Sequence, residues 1–398
     1  MWGRLFSTIR TDSLNVIMSP NQNVFQQIFE ISEVANLLGD HTHDTDQTRI
    51  RREIAERTMK KLGDATATSK WTVAWGPAEW RDGTSTQAAA AGDMGASFIS
   101  TNAMFIASGS MITFPDGIAY TTCVVGIGAA AGIDGLQSFS DIGSVINLDE
   151  WASKGIDGLS NPPSTNTPKS PSDVDGSAYI ANGFGQALFR IINLKNPVAP
   201  HYQETLLQSL QRVAAQPNTK IVITGHSVGG ALAYSLAYVL AKAGLFGSSP
   251  SQRVHVYPTG APSIGNRTFV DGFRTCFPPP EGLNREGYQH WNVNIVNPFD
   301  SVPHAYCTLE EIRSIYGTEG ELTGVKDLVE SLNKTAKNVP YYPFESSEFK
   351  SPIPKPPMAP GSYAGFLLCA GQQHISAYKA HIFSPNAEPL SHGADMVE

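Results

Sequence analysis

Gly225-His226-Ser227-Val228-Gly229 forms a G-x-S-x-G pentapeptide. A serine hydroxyl attacks a carbonyl carbon only if a base takes its proton and an acid orients that base. Short Gly/Ser patterns arise by chance, so the flanks decide. A β-branched run at 221–224 leads straight into the pentapeptide, and a nearly all-apolar stretch at 229–243 begins straight after it. That strand–turn–helix context is the one a nucleophilic serine requires. The chain must reverse sharply there, and side chains at 225 and 229 would collide with the neighbouring strand and helix. The turn lifts the Ser227 oxygen off the sheet edge. It also sets backbone N–H groups, that of Val228 first, at a helix start, where a developing oxyanion is stabilised.

In this arrangement the chain order is serine, acid, histidine. The strand-like segment 293–298 is followed by Phe299-Asp300-Ser301-Val302-Pro303, which sets Asp300 at a strand end. Beyond it lie His304, His374, His381 and His392. His304 would share a loop with its own orienter, and His392 lies near the end of the chain. His374 and His381 remain, seven residues apart on one helical run at 375–382. His374 follows the Gly371-Gln372-Gln373 loop, from which a ring can swing toward the serine, so His374 is preferred and His381 is the alternative. This chemistry calls for no metal and no organic cofactor.

The elements that must position these residues alternate. Phe184, Ala187, Leu188, Ile191 and Ile192 fall at i, i+3, i+4, i+7 and i+8, and Leu206, Leu207, Leu210, Val213 and Ala214 follow a similar spacing. Segments 220–224, 253–258 and 291–298 read as strands. The helix at 229–243 is apolar on all sides and should be buried. Pro115-Asp116-Gly117 reads as a hairpin turn between β-rich stretches. The second of these ends in a small-residue loop at 126–132. Residues 158–176 read as a long exposed loop, and 352–360 as a proline-rich connector. Alternation of strand and helix argues for an α/β fold with a mostly parallel central sheet flanked by helices.

These motifs together resemble the class 3 lipase family, over roughly residues 118–382. The run Ile221-Val222-Ile223-Thr224-Gly225-His226-Ser227-Val228-Gly229-Gly230-Ala231 is similar to that family's nucleophile segment. Gly183-Phe184, Thr259-Gly260-Ala261-Pro262-Ser263-Ile264-Gly265-Asn266, Asp300-Ser301-Val302-Pro303 and His374 with Tyr378 resemble its further motifs, in the family's order. The resemblance implies an α/β-hydrolase fold, a Ser227–Asp300–His374 triad and acylglycerol substrates, with a lid after the early strand. It implies a second oxyanion donor at Ala130, beside Val228. Where the family carries Arg-Gly-Thr, this chain has Gly128-Ala129-Ala130, which keeps a backbone amide and loses the hydroxyl. Residues 133–157, with Leu136, Phe139, Ile142, Val145, Ile146, Leu148 and Trp151, would form a lid or acyl-chain wall, or else pack on the sheet.

Composition bounds the rest. Of 398 residues 41% are hydrophobic and 16% charged, with a net charge of −8. Such a length can bury a core without staples, and a charge-poor acidic chain is a poor nucleic-acid binder. The partner expected is a lipid or ester substrate, at a lipid–water interface for a lipase, and no transmembrane segment is expected. Oligomeric state is not legible. No signal peptide is visible, which fits a cytoplasmic protein or a secreted mature form. Cys123, Cys276, Cys307 and Cys369 contain no CxxC pair, so no zinc site is expected. Asp40, His41, His43, Asp44 and Asp46 read as a polar loop, and 48–62 as a solvated helix. Residues 1–96 read as a partly helical N-terminal extension packing on the core, and 97–398 as the catalytic domain. Two rival functions remain: a short-chain or feruloyl-type carboxylesterase of the same fold, and a non-catalytic interaction module.

Overall fold

The computed structural model describes residues 22–37, 71–81, 101–130, 141–197, 199, 201–279, 286–317, 322–356 and 361–384. The expected loop at 40–46, the helix at 48–62, and Leu136, Phe139 and His392 lie outside them. A seven-stranded sheet has the order β1-β2-β3-β7-β8-β9-β10. Its strands are β1 (Trp71–Arg81), β2 (Thr101–Thr113), β3 (Ala119–Ala130), β7 (Thr219–His226), β8 (Val254–Thr259), β9 (Asn294–Val296) and β10 (Ser346–Glu348). From β3 to β10 every pairing is parallel, while β1–β2 and β2–β3 are antiparallel. A small antiparallel sheet of β4 (Val145–Asn147), β5 (Thr165–Asn166) and β6 (Tyr179–Ala181) sits beside it.

Side-chain alternation gives the large sheet two apolar faces. Val125, Ile127, Ile221 and Ile223 join a cluster with the helix Val228–Lys242. Phe105, Val124 and Val222 point the other way and pack with the helix Val24–Leu37. Val228–Lys242 is buried from Val228 to Leu240, as its all-round apolarity predicts. Truncating Leu232 or Leu236 to Ala there would cost about 2–5 kcal/mol.

The helices expected at 184–192 and 206–214 appear as Asn182–Ile192 and Leu206–Ala214. The second opens with a capping box of Thr205 and Gln208. The hairpin turn forms at Gly117, whose φ of +78° needs glycine, with the Ile118 N–H donating to Asp116 Oδ1 at 2.9 Å. Two expectations change. The small-residue segment is not a loop up to Ala130, because β3 stays paired with β2 as far as Thr101–Ala130. Its glycines admit the N-terminal helix: a Cβ on Gly126 would meet Ile31, and one on Gly128 would run into the Ala35 carbonyl. The strand expected at 291–298 shrinks to Asn294–Val296. Asn292 has φ +63° and docks on β8 instead, its N–H donating to the Val256 carbonyl at 2.7 Å and its Oδ1 accepting the Val256 N–H at 2.9 Å.

Within the segment proposed as a lid, Ile142, Val145, Ile146, Leu148 and Trp151 are all buried in the core. They belong to the main apolar cluster, and residues 133–140 of the segment lie outside the described residues. The segment 158–176 is mostly exposed, interrupted by β5 and a 3-10 turn at Pro171–Val174. All four cysteines are free thiols. No helix among the described residues is long and apolar enough to cross a membrane.

Candidate active site

Ser227 stands between β7 and the helix Val228–Lys242 with φ 62° and ψ −131°. A non-glycine residue in this region stores about 1–3 kcal/mol of strain, so its surroundings must impose it. The Ser227 N–H donates to the Thr259 carbonyl at 2.9 Å, tying the turn to the end of β8. The flanking glycines let backbones touch. A Cβ on Gly225 would run into the Gly229 backbone, and one on Gly229 into the Ile127 carbonyl. The Val228 N–H opens the helix and belongs to the turn whose donors lack intrahelical partners. Ile127 pairs with Gly225, so the strand residue Ala130 lies one position past the level of Ser227, its backbone paired with Thr101.

Asp300 is fully buried just beyond β9. Three donors converge on its carboxylate. The Val302 N–H bonds Oδ1 at 2.9 Å, while the Tyr378 hydroxyl and His374 Nδ1 each bond Oδ2 at 2.8 Å. The buried carboxylate is thereby left with no oxygen lacking a donor. The Tyr378 oxygen also accepts the Asn297 N–H at 3.1 Å.

His374 does not sit on a loop. Residues 363–383 run as one helix, and His374 lies within a π-turn at Gln372–Ser376 between Tyr363–Gly371 and Ala377–Phe383. The extra residue of a π-turn re-aims side chains, and such turns gather at functional sites. Gln373 anchors this one. Asn297 Nδ2 donates to the Gln373 carbonyl and Oε1 at 2.9 and 2.7 Å, and Gln373 Nε2 donates to the Ile353 and Pro354 carbonyls at 3.2 Å each. With Nδ1 on Asp300, His374 Nε2 has no hydrogen-bond partner among the described residues. The ring stacks on His226, the neighbour of Ser227, at 4.5 Å between centroids.

The structure therefore brings Asp300 and His374 together beside the Ser227 turn. The alternative, His381, stacks on Phe349 at 4.2 Å, and burial pushes its pKa down. His304 bonds Thr308 and pairs with Glu311. Asn297, Gln373, His226 and Thr259 are parts of the site that spacing did not reveal. The hint available for Asn297 was a polar residue closing an apolar strand before Pro298.

Two histidines, His226 buried and His255 half-buried, make stability depend on acid. Burial first, and then the charge on His374, lowers the His226 pKa to about 3. His255, between Phe114 and Trp291, is lowered to about 4, again by burial first. A depressed histidine pKa means that the unfolded chain binds protons the folded one refuses. Stability is complete above about pH 6.5 and falls as pH drops toward those values, by about 1.4 kcal/mol per pH unit for each group. Urea unfolding of His255→Phe is expected to show an acid slope between pH 6 and 4 shallower by that amount. An unchanged slope would refute the assignment.

Comparison with known proteins fits this geometry. The class 3 lipase family profile, Lipase (class 3), matches residues 145–309, which include Ser227 and Asp300 and end before His374. No curated protein matches. Among solved structures, M37 lipase superposes with a TM-score of 0.61 at 19% identity, covering 91% of this chain and 94% of that one, which shows a shared fold. A lipase from Rhizopus microsporus var. chinensis gives 0.37 at 15% identity, over 70% of this chain and 69% of that one. Rhizomucor miehei triacylglyceride lipase gives 0.37 at 17%, over 71% and 76%. By these matches residues 145–309 resemble the class 3 lipase family, and the chain has an α/β-hydrolase fold, shared with M37 lipase.

Proposed function

We propose that Ser227, His374 and Asp300 form the catalytic triad of a serine ester hydrolase that cleaves acylglycerol esters. The observation that carries the reading is the 2.8 Å bond from His374 Nδ1 to buried Asp300, beside a serine in a strained strand-to-helix turn. Ser227 Oγ attacks the ester carbonyl while His374 Nε2 takes its proton. Asp300 holds the ring and offsets the imidazolium charge. The Val228 N–H, with the Ala130 N–H as second donor, binds the tetrahedral oxyanion, and each such donor is worth about 3 kcal/mol of barrier. The proton passes to the leaving alcohol. Water, deprotonated by the same nitrogen, then releases the acid. Every proton is accounted for within the triad, so the mechanism draws on no cofactor. Residues 97–398 would form the catalytic domain, with 1–96 as an extension whose helix Val24–Leu37 packs on the sheet and whose strand β1 joins the sheet edge.

A short-chain or feruloyl-type carboxylesterase is the second reading. It gains weight from the burial of Ile142, Val145, Ile146, Leu148 and Trp151, which leaves less apolar surface free for an acyl chain or an oil interface. A nitrophenyl ester series from C2 to C16, with emulsified triacylglycerol, separates the two. The lipase reading expects kcat/KM to peak at medium or long chains and the rate to jump as an emulsion forms. A peak at C2–C4 with simple saturation would transfer the assignment to the esterase. The base is tested separately. His381→Ala is expected to leave kcat close to wild type and to cost about 1 kcal/mol of stability through the lost Phe349 stack. A kcat loss at His381 exceeding that of His374→Ala would overturn the choice of base.

A further inference from the structure

His226 precedes the nucleophile, yet its ring turns into the protein and is almost wholly buried. Three rings enclose it. His374 stacks on it at 4.5 Å with 29° between planes, Tyr378 meets it at 5.0 Å and 67°, and Phe29 of the N-terminal helix meets it edge-on at 6.3 Å and 90°. Its Nδ1 lies 2.9 Å from Thr259 Oγ1, on the strand that also receives the Ser227 N–H. Gly260 makes room for the stack: a Cβ there would stand 3.1 Å from Cε1 of both histidines and 3.1 Å from the Tyr378 oxygen.

The need for such a wall follows from the geometry of the base. Asp300 holds His374 through one nitrogen. A single hydrogen bond fixes the position of Nδ1 but leaves the ring plane soft, because the imidazole torsion has a broad minimum. The proton must nevertheless pass to Nε2, at the far side of the ring, and small misplacements of a reacting atom are costly. Packed against a second flat ring, itself fixed by Thr259 and Phe29, the imidazole keeps one plane. We infer that His226 is a positioning residue for the reaction: its ring is the wall that holds the His374 plane, and with it the direction in which Nε2 points. This inference rests on the reading of His374 as the base. It also requires His226 to remain uncharged, since a second cation 4.5 Å away would oppose the imidazolium formed in the reaction. The buried setting supplies that. The charged groups acting on His226 are His374 and Lys379, which disfavour its protonation, and Glu33 and Asp300, which favour it less than burial opposes it.

The test compares His226→Leu, which fills the space without a flat face, with His226→Phe, which restores one. For nitrophenyl ester hydrolysis, His226→Leu is expected to lose about 10- to 100-fold in kcat with KM within about threefold. His226→Phe is expected to recover kcat to within about threefold of wild type. The inference is overturned if His226→Leu keeps wild-type kcat, if His226→Phe falls as far as His226→Leu, or if only KM moves. Should His226→Leu fail to fold, His226→Gln takes its place, since its amide can still bond Thr259 but it has no ring to face His374. It must then lower kcat at constant KM, and an unchanged kcat sinks the idea. Ser227→Ala measured alongside separates the two levels. Cleavage surviving in Ser227→Ala defeats the triad reading itself. Cleavage lost there but untouched in His226→Leu defeats only this inference.

Discussion

Ser227→Ala is expected to lower kcat for ester hydrolysis by about 10⁶-fold, the scale seen when a triad serine is removed. The oxyanion donors and the binding surface remain, so the residual rate should still exceed that in water by about 10³–10⁴. The fold should persist. Alanine at φ 62° is no more strained than serine, and the Ser227 backbone bond to Thr259 is untouched. Circular dichroism and the thermal midpoint should therefore match wild type while turnover vanishes. Adding His374→Ala to this variant should cost almost nothing more, because members of a triad act as a unit.

Asp300→Asn is expected to reduce kcat by about 10⁴-fold with KM little changed. The carboxylate accepts three hydrogen bonds and donates none. An amide must place its NH2 at one oxygen position. At the Oδ2 position it faces the Tyr378 hydroxyl and His374 Nδ1, and it forces the proton of His374 onto Nε2, where a base needs a lone pair. At the Oδ1 position it meets the Val302 N–H, donor against donor. Either arrangement leaves a buried donor unpaired, at about 1–3 kcal/mol of stability. Steady-state kinetics at constant protein concentration, with urea unfolding of the same sample, separate the two effects. A kcat within tenfold of wild type would mean that Asp300 does not orient the base.

Local residues made much of this site readable. The Ser227 turn was legible because glycines at 225 and 229 answer to close backbone contacts, which any sequence must satisfy to make that turn. Helix faces such as 184–192 and 206–214 were legible because burial follows the 3.6-residue period. Asp300 was legible as a carboxylate closing an apolar strand. The setting of His374 was not. Gly371-Gln372-Gln373 reads as a loop, but Gln373 is gripped by Asn297, Ile353 and Pro354, and these distant partners keep the chain helical through a π-turn. The strand end at Ala130 was misread for a related reason. A run of Gly and Ala has little strand preference of its own, and β2 imposes the pairing. The N-terminal helix carried a signal that went unused: Val24, Ile28, Ile31 and Ala35 fall at i, i+4, i+7 and i+11, and all are buried against the sheet.

Covalent trapping is the sharpest test of Ser227 as the nucleophile. The protein is incubated with an alkyl fluorophosphonate, which phosphonylates activated serines, and is then measured by intact mass and by peptide mapping. The triad predicts one adduct per chain, located on the peptide containing Ser227, with loss of ester hydrolysis in proportion to labelling. Ser227→Ala should take up none. An adduct at any other serine, or an unlabelled protein that still hydrolyses esters, would contradict the assignment.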